Sequence, residues 1–143
     1  MLDKTFIKKK MDALAGYIAK LERLIMLENE AIKKSELALP AIERYFQQAV
    51  DQMIDINTHL IKEGDFGTLD DLQSTFAMLG NFSVIDKIFA AKIAPIVGVR
   101  NMLVHRYEKL DTDIFLNNLR RNFSDFKTYL IQVDGYLNTH PVS

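Results

Sequence analysis

Residues 40–60, PAIERYFQQAVDQMIDINTHL, carry a long amphipathic helical pattern. Pro40 fits the first turn of a helix, where its missing N–H costs little, and Glu63 with Gly64 supplies a stop. Between these limits, apolar residues recur at alternating steps of four and three positions, which places them on one helix face: Ile42, Phe46, Ala49, Met53, Ile56 and Leu60. The pattern predicts a long core helix.

The N-terminal segment repeats this pattern. Asp3 is a suitable N-cap, because its carboxylate can accept a backbone N–H from the first turn. The apolar positions that follow again alternate in steps of four and three: Ile7, Met11, Leu14, Ile18, Leu21 and Ile25. We therefore predict a second core helix here. Residues 28–35 are polar and lack a clear period, so a turn or a frayed connection is expected there.

Turn and capping signals divide the middle of the chain into shorter helices. Residues 64–67, GDFG, form a turn cluster. Residues 68–71, TLDD, have the spacing of a capping box that opens a short helix, and residues 83–86, SVID, repeat the device for the next helix. Pro95 should break or kink that second helix. The segment that follows is expected to begin as a separate helical piece.

A last helix is predicted after Asp111, Thr112 and Asp113, which offer an N-cap and first-turn acids. Residues 139–143 form a loose tail in this interpretation, so His140 is a poor catalytic candidate. The core stripe of the last helix is predicted from its apolar spacing: Ile114, Phe115, Leu119, Phe123, Phe126, Leu130, Val133 and Leu137.

The composition is typical of a globular protein. The chain has 143 residues, of which 48% are hydrophobic and 26% charged, enough to bury a core without metals or disulfides. The absence of cysteine fits a reducing compartment. We expect neither a signal peptide nor an apolar run of the roughly 18 residues that a membrane span needs. With no convincing strand, repeat or linker, we predict one all-α domain, residues 1–143, an antiparallel bundle of four to five helices in the cytoplasm.

The segment GVRNMLVHRY, residues 98–107, concentrates the polar chemistry. On a helix, Asn101 and His105 lie about 40° apart, and Arg100 and Tyr107 nearly coincide. Arg100 and His105 are separated by roughly 140°, so one straight helix does not aim both side chains at one small ligand. A two-fold dimer in which two such helices supply a common groove would bring them together.

The chemistry of this segment suits a phosphodiester. A guanidinium binds phosphate oxygens in a bidentate manner, and an imidazole transfers protons near neutral pH. Neither Arg100 nor His105 has an obvious acidic partner in the sequence. The alternative is that both are ordinary surface residues at the edge of an amphipathic helix, which the spacing alone favours.

A second polar stripe flanks the apolar face of the long helix: Gln48, Gln52, Asp55 and His59. It is either an ordinary polar boundary, which we favour, or a route by which Asp55 or His59 reaches the groove of the Arg100 helix. Asp55 and His59 also have the i,i+4 spacing of a metal pair, but no third ligand is apparent. Neither a metal nor a cofactor is predicted.

Basic residues elsewhere give little sign of a nucleic-acid surface. Lys8, Lys9 and Lys10 point in three directions on a helix and fit a solvated face. Arg120 and Arg121 lie off the core stripe and meet either RNA or water, with water favoured. The net charge of −1 argues against broad RNA binding.

The polar segment resembles a known signature. Arg100, four residues, His105, one residue and Tyr107 match the R-x4-H-x-Y pattern of the HEPN superfamily, specifically its HepT toxin branch, which is encoded beside minimal nucleotidyltransferase antitoxins. The surrounding run VGVRNMLVHRY, residues 97–107, also looks like that branch, as does DINTHLI, residues 55–61. The resemblance covers the whole chain.

The resemblance implies a metal-independent endoribonuclease toxin that acts as a homodimer. Arg100 and His105 would then be the catalytic residues of a composite cleft, with Asn101 and Tyr107 in support. Asn101 would orient His105 or bind a phosphate oxygen. The family also implies an antitoxin that transfers AMP onto Tyr107. The added phosphate would occupy the place of the RNA phosphate beside Arg100 and repel the substrate.

Two hypotheses of different class follow. In the first, His105 acts as general base or acid on the RNA 2′-OH while Arg100 stabilises charge on the scissile phosphate. In the second, the protein is a non-catalytic helical module that binds a nucleotidyltransferase and its nucleotide or substrate. The complete set of Arg100, Asn101, His105 and Tyr107 favours the first hypothesis. The near-neutral charge and the lack of a basic stripe favour the second.

Overall fold

The computed structural model describes residues 2–105 and 110–140, and within these ranges it is all-helical, as predicted. The described part contains eight helices: α1 (Lys4–Leu24), α2 (Asn29–Lys34), α3 (Ala38–Glu63), α4 (Ser74–Asn81), α5 (Lys87–Ile93), α6 (Ile96–His105), α7 (Thr112–Arg121) and α8 (Ser124–Thr139).

Helix α3 is the centre of the fold. All six apolar residues predicted on its core face are buried, and the helix ends at Glu63 with Gly64 as its C-cap. Helix α1 packs along it over most of its length. Contacts join Asp3 to His59, Lys10 to Asp55 and Tyr17 to Tyr45, so the two helices run antiparallel.

The eight helices exceed the four to five predicted, and two of the local interpretations were wrong. Residues 28–35 contain α2 rather than only a turn. The predicted last helix is two helices, α7 and α8, which are separated at Asn122 and Phe123. Ile114, which was placed in the core stripe, is exposed.

Tertiary contacts explain why α2 forms where the local sequence predicts a turn. Arg120 on α7 donates from Nε to the Ile25 carbonyl (2.9 Å), from Nη2 to the Leu27 carbonyl (2.8 Å) and from Nη1 to Asn29 Oδ1. Asn29 and Lys33 also donate to the Asp113 carboxylate, at 3.1 and 3.0 Å. Arg120 therefore holds the connection between α1 and α2, which corrects the expectation that it faces water or RNA.

Two of the predicted N-caps are confirmed, and two other helices begin later in the sequence than predicted. Asp3 and Asp111 cap α1 and α7 as expected. The box at residues 68–71 does not open α4 at Thr68, because Asp71 accepts from the Ser74 backbone N–H and hydroxyl, both at 2.7 Å. These bonds hold the pKa of the Asp71 carboxyl below its usual value. Likewise Asp86, rather than Ser83, caps α5.

A buried polar cluster ties α3 to α4 and α8. Tyr129 Oη donates to Asn57 Oδ1 (2.6 Å), and Asn57 Nδ2 donates to Thr75 Oγ1 (3.0 Å). The Thr75 hydroxyl donates onward to the Leu72 carbonyl (2.8 Å). Burial raises the pKa of the Tyr129 phenol well above its usual value. The cluster fixes the position of α3 relative to its neighbours, because each of its buried polar groups has a partner.

The predicted break before the polar segment is confirmed. Helix α5 ends at Ile93 and α6 begins at Ile96, so the interruption falls at Ala94 and Pro95, and α6 runs on through Gly98. Helix α5 is fixed to α8, where Lys92 Nζ contacts the Asp125 carboxylate at 3.0 Å. The polar segment is thus a separate helix that packs against α3.

One stretch among the described residues, Lys87–His105, is long and apolar enough to cross a membrane by length and composition alone. The expectation that no run reaches this length was therefore too strict. The stretch comprises α5 and α6, and its residues Phe89, Ile93, Val97 and Leu103 are buried in the protein. Core helices share such a composition, so the finding is weak evidence for a span.

We predict that Arg120→Lys destabilises the protein by about 1–3 kcal/mol, because a lysine cannot serve both carbonyls and Asn29 at once. Urea unfolding should show a lower midpoint with an unchanged slope. The neighbouring Arg121→Lys, on an exposed residue, is the matched control and should change stability by less than about 0.5 kcal/mol. Equal midpoints for the two variants would contradict the anchoring role of Arg120.

Candidate active site

Helix α6 places Arg100 against α3. The Arg100 side chain is 21% exposed, and its Nε donates to Asp51 Oδ1 at 2.8 Å. Its Nη1 donates to Asn101 Oδ1 at 3.0 Å. Asn101 thus contacts the arginine, where the sequence had assigned it to His105 or to a phosphate. The guanidinium is held on two of its edges by acceptors from two different helices.

Asp51 is the acidic partner that the sequence did not reveal. It lies 49 positions before Arg100, on the central helix. The available signal is its i,i+4 spacing from Asp55, which puts both carboxylates on the same side of α3. That spacing alone does not indicate which basic side chain the carboxylate meets. Only the packing of α6 on α3 brings Asp51 and Arg100 together.

A cavity of about 640 Å³ adjoins this pair. Its wall is formed by α1, α3 and α6, together with the segment between α3 and α4. Charged and aromatic side chains account for much of the lining: Phe6, Asp51, Asp55, His59, Lys62 and Arg100. The cavity has room for a nucleotide-sized group, and it presents both signs of charge.

Asp55 and His59 both line the cavity that Arg100 borders. This agrees with the alternative in which the polar stripe of α3 reaches the groove of the Arg100 helix. Each also contacts α1. Lys10 Nζ lies 2.8 Å from Asp55 Oδ2, and His59 Nε2 accepts the backbone N–H of Asp3 at 3.0 Å. The Phe6 ring covers His59, with ring centroids 4.8 Å apart. These contacts make the two side chains part of the joint between α1 and α3.

His105 is the last residue of α6 and has an exposed side chain. It is not among the residues that line the cavity beside Arg100. The described chain thus presents Arg100 and His105 in different settings, as their roughly 140° separation on a helix requires. Tyr107, the predicted modification site, lies outside the described residues.

No group of three or more histidine, cysteine, aspartate or glutamate side chains that could hold a metal ion occurs in residues 2–105 and 110–140. Asp55 and His59, the i,i+4 pair, are instead engaged by Lys10 and by the Asp3 backbone. The groups at the candidate site are the Arg100 guanidinium with its partner Asp51, the Asp55 carboxylate in the same cavity and the exposed His105 imidazole.

A family comparison agrees with these features. The family model described as Ribonuclease HepT-like matches residues 14–133. The tRNA nuclease HepT of Aphanizomenon flos-aquae (strain 2012/KM1/D3) is 24% identical over 138 residues, which span 96% of this chain and 94% of that protein. The sequence likeness therefore extends over nearly the whole of both chains.

Solved structures share the fold. The tri-AMPylated Shewanella oneidensis HEPN toxin in complex with MNT antitoxin has a TM-score of 0.85 at 19% identity, covering 93% of this chain and 99% of that chain. The cytosolic protein of unknown function YutE from Bacillus subtilis has a TM-score of 0.86 at 16% identity, covering 99% and 96%. At these identities the likeness shows the fold alone.

Fold and polar segment together define an all-helical bundle that shares its fold with the solved HEPN toxin and carries the polar segment of residues 97–107. The chain belongs to the Ribonuclease HepT-like family, whose model spans residues 14–133.

Proposed function

We propose that this protein is a metal-independent endoribonuclease toxin of the cytoplasm, a single domain over residues 1–143 that acts as a homodimer. The observation that carries the proposal is the Arg100 guanidinium, which is anchored beside a nucleotide-sized cavity on the same helix that ends in His105. Family membership supports the ribonuclease chemistry. A relative of the same fold described as cytosolic supports the compartment.

The proposed reaction uses the RNA itself as nucleophile. His105 takes the proton of the 2′-OH as general base, the 2′-oxygen attacks the adjacent phosphorus, and the bond to the 5′-oxygen breaks. The leaving 5′-oxygen receives a proton from His105, which carries the proton that it took from the 2′-OH and now acts as general acid. Arg100 stabilises the negative charge that develops on the phosphate oxygens. No metal is required in this scheme, because His105 transfers the protons and Arg100 stabilises the charge on the phosphate.

A second copy of the chain completes the proposed site. Arg100 faces the cavity walled by α1 and α3, whereas His105 is exposed at the end of α6. Two α6 helices related by a two-fold axis can place Arg100 of one copy near His105 of the other. The cleft then holds two equivalent sites.

Neutralisation would act through Tyr107. We propose that a cognate minimal nucleotidyltransferase transfers AMP onto its hydroxyl, as the description of the tri-AMPylated Shewanella oneidensis toxin with its MNT antitoxin supports. In the sequence, Tyr107 follows His105 by two positions. The phosphate of the adduct carries negative charge and accepts hydrogen bonds, so it competes with the RNA for Arg100.

One observation favours the alternative function, a non-catalytic module that binds a nucleotidyltransferase. The carboxylates of Asp51 and Asp55 border the Arg100 cavity, and the chain carries a net charge of −1. Acidic groups repel an RNA backbone but can accept hydrogen bonds from a nucleobase or a protein partner. The two functions make opposite predictions for RNA cleavage.

We predict that the purified, unmodified dimer cleaves structured RNA, including tRNA, in EDTA, and that Arg100→Ala and His105→Ala each reduce the rate by at least about a hundredfold. Gel analysis of end-labelled RNA measures the rate. Arg121→Ala and His140→Ala are the matched controls, because both residues lie at the ends of other helices. No cleavage by verified unmodified dimer across several RNAs would favour the binding module instead.

A mixing experiment tests the composite site. Co-expressed Arg100→Ala and His105→Ala chains form heterodimers in which one of the two composite sites keeps both residues. We expect such heterodimers to regain up to about half of the wild-type rate per dimer, because one of two equivalent sites is intact. Inactive heterodimers of proven composition would contradict a site shared between copies.

We also predict that a cognate nucleotidyltransferase with ATP adds AMP to Tyr107 and suppresses RNA cleavage. Intact mass and peptide mapping locate the adduct. Tyr107→Phe should neither receive AMP nor lose its nuclease activity when it is treated with the nucleotidyltransferase. Tyr136→Phe, which changes a tyrosine of α8, should behave as wild type. If AMP were found on another residue and the nuclease activity fell equally, Tyr107 would not be the regulatory site.

A further inference from the structure

Asp51 is the residue whose role the proposed reaction leaves open. It lies on α3, the helix with the most extensive buried face, and its carboxylate is 2.8 Å from Arg100 Nε. Both side chains are partly shielded, at 34% and 21% exposure. A charged pair in such a setting is less screened by solvent than a surface pair. The contact therefore influences where the guanidinium points.

Two contacts together fix the plane of the guanidinium. Asp51 accepts from Nε, and Asn101 accepts from Nη1, so acceptors on α3 and α6 hold two edges of the group. An arginine side chain otherwise loses considerable rotamer freedom when it binds a ligand. Because both edges are held before the substrate arrives, the loss of rotamer entropy has already occurred on folding and does not weaken binding. This is the usual benefit of preorganisation.

The position of the carboxylate also leaves room for a phosphate. A guanidinium has five N–H groups, and the contacts to Asp51 and Asn101 use one on Nε and one on Nη1. Neither contact uses Nη2, at the tip of the side chain. A phosphate can thus approach the tip while the base of the group stays on α3. The negative charge of Asp51 weakens the attraction of Arg100 for the phosphate. In return, the contact orients the guanidinium toward it.

Asp55 provides the internal comparison. It lies one helical turn beyond Asp51 on α3 and lines the same cavity, but its carboxylate is paired with Lys10 of α1. The described contacts of Arg100 include Asp51 and not Asp55. A general effect of nearby negative charge would involve both aspartates, whereas an orienting contact involves Asp51 alone.

We propose that Asp51 is a positioning residue that acts through Arg100, an inference that rests on the proposed nuclease function. Its carboxylate holds the guanidinium from the Nε side in the orientation that the scissile phosphate meets. Loss of the contact leaves Arg100 charged but free to adopt other rotamers. The rate of the chemical step then falls more than the affinity for RNA, since Arg100 keeps its charge and only its orientation toward the transition state is lost.

The experiment compares Asp51→Ala, Asp51→Asn and wild type in kcat and KM for one RNA. Asp51→Ala should lower kcat by about tenfold to a hundredfold with less than about a threefold change in KM. Asp51→Asn should keep kcat within about threefold, because the amide oxygen can still accept from Nε. Glu22→Ala, which removes a carboxylate paired with Lys127 between α1 and α8, is the matched control and should keep the wild-type kcat.

A coupling measurement separates positioning from a general structural effect. In an Arg100→Lys background, Asp51→Ala should lower kcat by less than about twofold further, since lysine has no Nε–H for the carboxylate to hold. Proton exchange at the Arg100 Nε–H, followed by nitrogen-15 NMR, should be at least about tenfold faster in Asp51→Ala than in wild type or Glu22→Ala. The exchange measurement does not depend on nuclease activity.

The outcomes distinguish the two proposals. Wild-type protein that cleaves RNA while Asp51→Ala keeps its kcat would overturn the positioning role and leave the nuclease function intact. Additive losses in the Arg100→Lys background, or unchanged Nε–H exchange, would also overturn it. Wild-type protein that cleaves no RNA would overturn the nuclease function, whereas the Nε–H exchange would still report whether Asp51 holds the guanidinium.

Discussion

The burial of α3 is the constraint on which the rest of the structure depends. This helix has 26 residues, about 39 Å at 1.5 Å per residue, and eleven of them are buried. A helix with so extensive an apolar face must be covered from several sides, which α1, α4 and α6 do. Each covering helix is therefore placed by its fit to α3, and the internal Asn57 bonds fix α4 and α8 to the same helix.

The candidate site is a product of this packing. The polar edge of α3 presents Asp51, Asp55 and His59 where α1 and α6 meet it. Arg100 comes from α6, and Phe6 comes from α1. A rigid core helix thus supplies the wall against which a charged side chain is oriented. The near-neutral charge of the chain is consistent with such a site, since RNA attraction would rest on a few well-placed cations rather than on a basic surface.

Local periodicity predicted the fold class and the buried face of α3, because a helix with one buried face imposes a period on its sequence. The four-and-three spacing from Ile42 to Leu60 is such a case. The Arg100, His105 and Tyr107 signature also identified the family. Partners distant in sequence were not predictable in this way. The contacts of Arg100 with Asp51 and of Arg120 with the Ile25 carbonyl span 49 and 95 positions, and only the packing of helices selects them.

The N-terminal end of α1 closes one side of the Arg100 cavity. The Asp3 backbone N–H binds His59, and the Phe6 ring covers the same imidazole. Anything joined to the chain ahead of these residues therefore emerges beside the cavity. An affinity tag or fluorescent fusion placed there would crowd the approach of a long polymer. The choice of fusion end is thus part of the design of any activity measurement on this protein.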